Sequence, residues 1–204
     1  MKERPILMNG AMVRAVLNGT KTQTRRDVKL PKHHVWGMDY EGQILYRPED
    51  LSKIGDFSID ELSCPHGKVG DLLWVRENWA FHLQSIGSAT DEDGPFVYAA
   101  DEFAQQYRLD DKWTPSIHMP RFASRILLEI VSVRVERLND ISEADARAEG
   151  ISRTKDGAFH VEDDKFRAPS AKESYARLWE SINGEGSWNT NPWVWVVEFE
   201  VVKA

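Results

Sequence analysis

The chain has 204 residues, of which 41% are hydrophobic and 29% charged, and a net charge of −7 at pH 7. These values exclude an intrinsically disordered chain and a protein that coats nucleic acid through bulk positive charge. No apolar run approaches the ~20 residues that span a bilayer, and the single cysteine, Cys64, cannot form an internal disulfide. We therefore expect a cytoplasmic protein with one domain over residues 1–204.

The charge is unevenly distributed. Residues 1–34 contain eight Lys and Arg residues against two acidic ones, a local charge of +6, whereas the remaining chain has 18 basic and 31 acidic residues. A local anion-binding site near the start of the chain is compatible with this pattern, because an acidic surrounding surface would focus its field.

In chain order, the first predicted elements are a short extended segment at 5–8 and a helix. Asn9 can cap this helix, apolar residues recur at helical spacing, and Gly19 follows its last residue, Asn18. The β-branched, alternating segment 20–26 predicts a polar strand directly after the helix.

Residues 31–66 are predicted to be an irregular insertion. The segment contains a hairpin signal at 40–43, a turn at 64–67, and an acidic loop with Glu49, Asp50, Asp56, Asp60 and Glu61. Strands are predicted at 72–77 and 96–100, separated by a Gly/Ser/Asp-rich loop at 84–95. We treat about 80–120 as a second insertion.

The strongest strand signal is 125–137, where most apolar residues occupy even-numbered positions up to Ile130 and odd-numbered positions after it. This change predicts a β-bulge or sharp bend at that point. Capped helices are predicted at 143–149, between Ser142 and Gly150, and between Ser170 and Gly184. A half-buried strand, apolar on the face of Trp195 and polar on that of Glu198, closes the chain. The fold class is therefore α+β, with a small bent barrel and flanking helices.

The first candidate site is the polar segment 19–26, which contains an amine, three hydroxyls and two guanidiniums. A hydroxyl nucleophile such as Thr24 needs a base, and Lys21 can serve if burial or a neighbouring cation such as Arg25 lowers its pKa. In an ideal strand Lys21 and Thr24 face opposite sides, so their meeting requires a turn near Thr22. The alternative is a solvated strand whose arginines, including Arg26, pair with surface carboxylates.

Two further groups of residues are weaker candidates. Glu149 precedes a helix-ending glycine, where the helix dipole disfavours a carboxylate, an environment suited to proton transfer; the alternative is an exposed surface residue. Trp74, Arg76 and Glu77 can line a cleft in which a base stacks on a ring.

Metal ligation has little support in the sequence. The chain offers Cys64 beside His66, and the pair His33 and His34, without the paired spacing of a zinc site. We therefore expect neither a metal nor a cofactor.

The segment Gly19-Thr20-Lys21-Thr22-Gln23-Thr24-Arg25-Arg26 resembles the G-x-K-x-x-T-x-R signature of the ASCH domain, a PUA-like family of small β-barrels associated with RNA and modified nucleosides. Residues 70–77 resemble the G-D-x-L strand of that family, 141–151 its short helix, and 193–199 its closing strand. Residues 64–79 and 113–200 also resemble a phage and prophage branch. The resemblance implies a PUA-like barrel with enlarged loop insertions.

One member of this family removes the acetyl group of N4-acetylcytidine with a Lys, a Thr and a Glu. The resemblance implies that Lys21 acts as base, that Thr24 attacks the acyl carbon, and that Glu149 moves protons for the leaving amine. Arg26 would hold a carboxylate or oxyanion, with Arg25, Trp74, Arg76 and Glu77 as further substrate-binding residues.

Two other functions remain open at this point. One is a binding module for single-stranded RNA or a modified base, without turnover. The other is a metal-independent ribonuclease in which Lys21 stabilises the phosphate and His33 or His118 moves protons. In each case the partner is a nucleoside or single-stranded RNA.

Overall fold

The computed structural model describes residues 1–30, 32–38, 43–49, 57–58, 62–81, 96–102, 104–107, 112–162 and 164–204. The fold is mixed α+β, as the sequence predicts. Three helices lie within the described residues: α1 (Gly10–Leu17), α2 (Glu143–Ala148) and α3 (Ala171–Asn183). The strands are β1 (Glu3–Leu7), β2 (Gln23–Asp27), β3 (His34–Met38), β4 (Ile44–Pro48), β5 (Phe57–Ser58), β6 (Leu72–Arg76), β7 (Trp79–Phe81), β8 (Phe96–Tyr98), β9 (Leu127–Arg137), β10 (Ser152–Arg153), β11 (Phe159–Val161), β12 (Lys165–Ala168) and β13 (Trp193–Lys203).

The central sheet has five strands in the order β1-β6-β9-β13-β2. Strands β1 and β6 are parallel, and every other neighbouring pair in this sheet is antiparallel. The long strands β9 and β13 form its middle. This arrangement places β1 and β2 at opposite edges.

A closed barrel, expected from the sequence, is not found among the described residues. No ladder joins β1 to β2; a hydrogen bond from Arg26 Nη2 to the Leu7 carbonyl, 2.9 Å long, links them instead. The chain just before β2 contacts the end of α2, where the Thr22 amide donates to the Ala148 carbonyl at 2.9 Å. These two hydrogen bonds connect the β2 region to β1 and α2 without closing the sheet into a barrel.

The central sheet carries a hydrophobic core on each face. The first core includes Ile6, Val13, Val16, Leu73, Val75, Ile126, Leu128, Ile130, Trp195, Val197 and Phe199. The second core includes Leu138, Ile141, Ala146, Ile151, Tyr175, Leu178, Trp179, Val194 and Val196. The expectation of a half-buried β13 is therefore wrong for its first half, because α2 and α3 cover the face that holds Val194 and Val196.

The predicted bulge in β9 is confirmed. Along the β9–β13 ladder, Ser132 pairs with Glu198 and Ile130 pairs with Phe199, so Val131 is an extra residue on β9. Val131 is 40% exposed. The extra residue shifts the side-chain alternation by one position, so both Ile130 and Val133 face the first core.

The helix boundaries follow the predicted caps. Asn9 accepts from the Met12 amide, and Ser142 forms a complete capping box with Asp145. Ser170 accepts from the Glu173 amide, and Gly184 ends α3. Local polar chemistry thus fixes where each helix starts.

The described parts of the segment 31–66 are more regular than the sequence indicates, because strands β3, β4 and β5 form an antiparallel sheet. Most of the predicted hairpin at 40–43 falls on residues 39–42, which lie outside the described residues. The turn at 64–67 is confirmed by a Gly67 amide to Cys64 carbonyl bond of 3.1 Å. Asp50, Asp56, Asp60, Glu61 and the loop 84–95 lie outside the described residues.

A further small sheet was not expected from the sequence. Strands β10, β11 and β12 form it between α2 and α3. In the part of the chain that the structure describes, no helix is long and apolar enough to cross a membrane.

Burial of both faces of β13 predicts a stability difference between two valines. Val196→Ala should lower the free energy of unfolding by about 2 kcal/mol, because it removes two buried methyl groups from a fully buried side chain. The control, Val202→Ala, changes a side chain that is 55% exposed and should have little effect. Urea unfolding of both variants measures this difference, and equal stabilities would contradict the two-faced burial.

Candidate functional site

The Lys21 backbone leaves the strand geometry that the sequence predicts. Strand β2 starts only at Gln23, and Lys21 forms an isolated antiparallel bridge with Glu149. Before it, Gly19 has a φ of +71°, and the Thr20 and Lys21 amides both donate to the Ala15 carbonyl. This tight helix end turns the chain back over α1, so Lys21 arrives beside the end of α2.

Gly150 permits this close approach. Its φ is +100°, and a Cβ atom at this position would lie 3.1 Å from Ala15 Cβ and 3.5 Å from Lys21 Cβ. A side chain would therefore push α1 and the residue after α2 apart. The helix-ending glycine noted in the sequence positions Glu149 against Lys21 as well as ending the helix.

The Lys21 ammonium is removed from water and fully hydrogen-bonded. Its Nζ atom lies 2.7 Å from Glu149 Oε2, 2.8 Å from the Gln23 carbonyl and 3.0 Å from the Glu149 carbonyl, and the residue is 2% exposed. Three acceptors match the three protons of a lysine ammonium. Burial lowers the pKa of Lys21, the charge of Glu149 opposes this effect, and the charges of Arg26 and Arg25 reinforce it.

Arg25 connects Glu149 to a second carboxylate. The Arg25 side chain is fully buried; its Nη1 donates to Glu149 Oε1 at 3.1 Å and its Nε to Glu136 Oε1 at 3.1 Å. Asp145 Oδ2 lies 3.8 Å from Nη2, and Gln23 Nε2 donates to the Asp145 carbonyl at 2.9 Å. Lys21 and Arg25 are thus balanced by carboxylates on the face of the sheet that carries α2.

Thr24 does not join this network. It pairs with Val197, whose side chain belongs to the first core, and paired residues of an antiparallel ladder share a face. No hydrogen bond connects Thr24 Oγ1 with Lys21 Nζ among the described residues. Thr24 is 1% exposed, and the Arg26 guanidinium is directed to the Leu7 carbonyl.

A small cavity of about 50 Å³ nevertheless adjoins Thr24 and Glu149. Its other lining residues are Met12, Arg25, Arg26, Asp27, Tyr175, Leu178, Trp179, Ile182 and Asn183. The cavity therefore lies between β2, α1 and α3. Water-sized molecules fit in such a space without rearrangement.

The group Trp74, Arg76 and Glu77 lies elsewhere. β6 is separated from β2 by β9 and β13, a distance of about 14 Å across the sheet. Arg76 donates to the Met119 carbonyl at 3.1 Å and lies 5.2 Å from the Trp74 ring. Glu77 pairs with Arg125 at 3.0 Å, and burial raises the pKa of Glu77 despite this partner. The structure does not bring these three residues together with Lys21.

The histidines considered from the sequence are also outside the Lys21 network. His33 has an 86% exposed side chain near Glu49, and His118 is exposed at the end of a short 3₁₀ turn. Burial, together with the charges of Arg26 and Arg4, lowers the pKa of His66 to about 4. Within the described ranges, no three His, Cys, Asp or Glu side chains form a group that could hold a metal ion.

Sequence reasoning missed the carboxylate partners of Arg25. Glu136 pairs in the ladder with Val194, and Asp145 lies in the capping box of α2. Arg134 extends the network to Glu198 and lies 3.2 Å from Glu136 Oε2. The available signal was the alternation along β9, which places Arg134 and Glu136 on the face opposite the core residues Val133 and Val135.

Comparison with known proteins gives little information. No protein-family model matches the chain, and no curated protein matches it. Among solved structures, the chain is similar to protein EF3133 from Enterococcus faecalis V583, described by the family model DUF984, with 12% identity and a TM-score of 0.42 over all of this chain and 82% of that one. A similarity at this level supports no conclusion about fold or function.

The geometry predicts that Arg25 is important for stability. Arg25→Met should lower the free energy of unfolding by about 3–5 kcal/mol, because Glu149 and Glu136 lose a buried cationic partner. The matched control is Arg121→Met, which breaks an exposed pair with Glu3 and should leave stability close to that of the wild type. Chemical denaturation compares the two, and a stable Arg25→Met protein would contradict the buried network.

Proposed function

We propose that this protein is an amidohydrolase that acts on an N-acylated pyrimidine nucleoside or base, with Lys21 and Glu149 as its proton-transfer pair. The observation that carries the proposal is the 2.7 Å contact between Lys21 Nζ and Glu149 Oε2 in a buried site that lowers the pKa of Lys21. A lysine of lowered pKa loses its proton more readily than an ordinary lysine and can then act as a general base.

The proposal includes membership of the ASCH family with a PUA-like fold. Gly19, Lys21, Thr24 and Arg26 support it, because they occupy the signature positions and surround the turn that brings Lys21 to Glu149. The amidohydrolase activity of a family member motivates the choice of reaction. The fold alone would not select it.

In the first proposed step, Lys21 is the neutral amine, having lost one proton to solvent and kept two of its three hydrogen bonds. Thr24 Oγ1 attacks the acyl carbon, and Lys21 Nζ takes the hydroxyl proton. The proton crosses to Glu149 Oε2, which delivers it to the departing nitrogen as the C–N bond breaks. An ester on Thr24 and a free cytosine amine result. In the second step water attacks the ester, its proton returns through the same pair to Thr24 Oγ1, and a carboxylic acid leaves.

The reaction places one geometric demand on the site. Because no hydrogen bond joins Thr24 Oγ1 to Lys21 Nζ in the structure, the proton must move after a side-chain rotation or through one water. The 50 Å³ cavity is lined by Thr24 and Glu149 but not by Lys21, so a water in it would link Thr24 Oγ1 to the Glu149 carboxylate and through it to Lys21 Nζ. Arg25 fixes the Glu149 carboxylate during the transfer.

Two threonines provide a direct test with a matched control. Thr24→Val keeps the shape of the side chain and removes the hydroxyl, so turnover of N4-acetylcytidine should fall by about 10²-fold or more. Thr22→Val makes the same change at a neighbouring exposed position and should keep wild-type turnover. Chromatographic measurement of cytidine and acetate gives the rates, and thermal unfolding shows whether each variant is folded.

Three results would overturn the proposal. These are full activity of folded Thr24→Val, full activity of folded Lys21→Met, and the absence of turnover of any N-acylated pyrimidine nucleoside by the wild-type protein. If the last result were accompanied by tight binding of the nucleoside, it would favour a binding module without turnover. Cleavage of unmodified RNA would favour a ribonuclease.

A further inference from the structure

A wide cleft of about 950 Å³ opens on the face of the central sheet opposite the Lys21 network. Its apolar wall is formed by Val133, Val135 and Trp195, which belong to or pack against the first core, and its rim holds Lys2, Arg4 and Lys68. The volume lies at the upper end of the range for pockets that hold small organic ligands. The cleft therefore combines an apolar surface with a cluster of cations.

Among the described residues, the Arg4 guanidinium has no hydrogen-bond partner. It forms no ion pair with them either, and its Nε atom is buried. Arginine N–H groups removed from water are normally paired, because an unmade hydrogen bond to a charged group is costly. The Nη1 and Nη2 atoms are also without a hydrogen bond among the described residues but are not buried, so an anion in the cleft can accept from them.

The other charges at the cleft leave it positive. Lys2 and Lys68 are exposed and form no ion pair with the described residues, whereas Arg134 is already paired with Glu198 and Glu136. Asp71 also lines the cleft, but its carboxylate accepts from the Lys2 and Lys68 amides, at 2.8 and 3.4 Å. Among the described lining residues, Lys2, Arg4 and Lys68 therefore outnumber the Asp71 carboxylate, which is already hydrogen-bonded and whose pKa the Lys2 amide and the charge of Arg4 help to lower.

The neighbouring His66 is consistent with this positive field. The charges of Arg26 and Arg4 add to burial in lowering the pKa of His66 to about 4, so the imidazole is neutral at physiological pH. The cations that an anion would meet are therefore Arg4 and the two lysines, without a contribution from His66.

We propose that this cleft binds an organic phosphate, with the phosphate on Arg4 and the two lysines and the organic part against Trp195 and Val133. The planar guanidinium matches phosphate oxygens in pairs, and lysines add charge at the rim. The proposal goes beyond the amidohydrolase reaction and does not rest on it, because none of the cleft residues belongs to the proton-transfer pair.

Calorimetric titration of the full chain at low salt tests the site with three probes: cytidine, cytidine 5′-monophosphate and inorganic phosphate. The monophosphate should bind at least tenfold more tightly than cytidine, and inorganic phosphate should compete with it. A fourth titration, with pentacytidylate, distinguishes a mononucleotide from a single-stranded nucleic acid as the source of the phosphate. Tighter binding of pentacytidylate than of the monophosphate, with a steep salt dependence, identifies a single-stranded nucleic acid, and equal affinities identify a mononucleotide; both results support the site.

Three variants locate the binding. Arg4→Gln should weaken monophosphate binding by about tenfold or more, since a charge-assisted hydrogen bond is lost. Lys68→Gln removes an exposed charge without disturbing the fold and should weaken it by a smaller factor. Lys203→Gln makes the same change on the exposed last strand and should have no effect.

The proposal is overturned if cytidine and its monophosphate bind equally, if neither binds, or if Lys68→Gln and a folded Arg4→Gln both bind like the wild type. Thr24→Val should bind the monophosphate normally. Loss of turnover and loss of phosphate binding are therefore separate results, and failure of the amidohydrolase proposal would leave this test intact.

Discussion

The arrangement of the site depends on a lysine and a glutamate that are both removed from water. Lys21 precedes an edge strand and Glu149 follows a short helix, and their 2.7 Å contact joins the two elements. Transfer of each charge out of water costs several kcal/mol, which mutual attraction and further hydrogen bonds must offset. Here two backbone carbonyls accept the other two Lys21 ammonium protons, and Arg25 donates a hydrogen bond to the second Glu149 carboxylate oxygen. The buried pair is stabilised because the Lys21 ammonium and both Glu149 carboxylate oxygens have hydrogen-bond partners.

The central sheet separates two chemical environments. On one face, alternate residues of β2 and β9 build the network around Arg25, where the charges are paired. On the other face, Arg4 has no hydrogen bond with the described residues and lines a cleft with an apolar wall that includes Trp195. Thr24 pairs with Val197 and so lies on the face of the first core. It nevertheless lines a cavity together with Glu149 at the edge of the sheet. Residues from both faces therefore meet at this edge.

Local signals in the sequence predicted much of the fold, and long-range contacts limited the rest. Caps at Asn9 and Ser142 and the bulge beside Ile130 were predictable, because each depends on neighbouring residues. Burial of Val196 was not predictable, since Glu198 and Glu200 suggest a solvated face, and it is the packing of α2 and α3 that covers this face. The meeting of Lys21 with Glu149 came from family resemblance, because 128 residues separate them. Glu136 was missed because a single acidic residue on a strand resembles a solvated one.

The central claim is that burial outweighs the attraction of Glu149 at Lys21. Since folding lowers this pKa, the unfolded chain binds more protons between the two pKa values, and the contribution of Lys21 to stability rises with pH in that interval. Titration of Lys21 by NMR in selectively labelled protein, assigned with Lys21→Met, measures the pKa directly. The account predicts a value below the ordinary ~10.4 of a lysine. A value at or above it would mean that Lys21 is a permanently charged structural cation, which would contradict its role as a base.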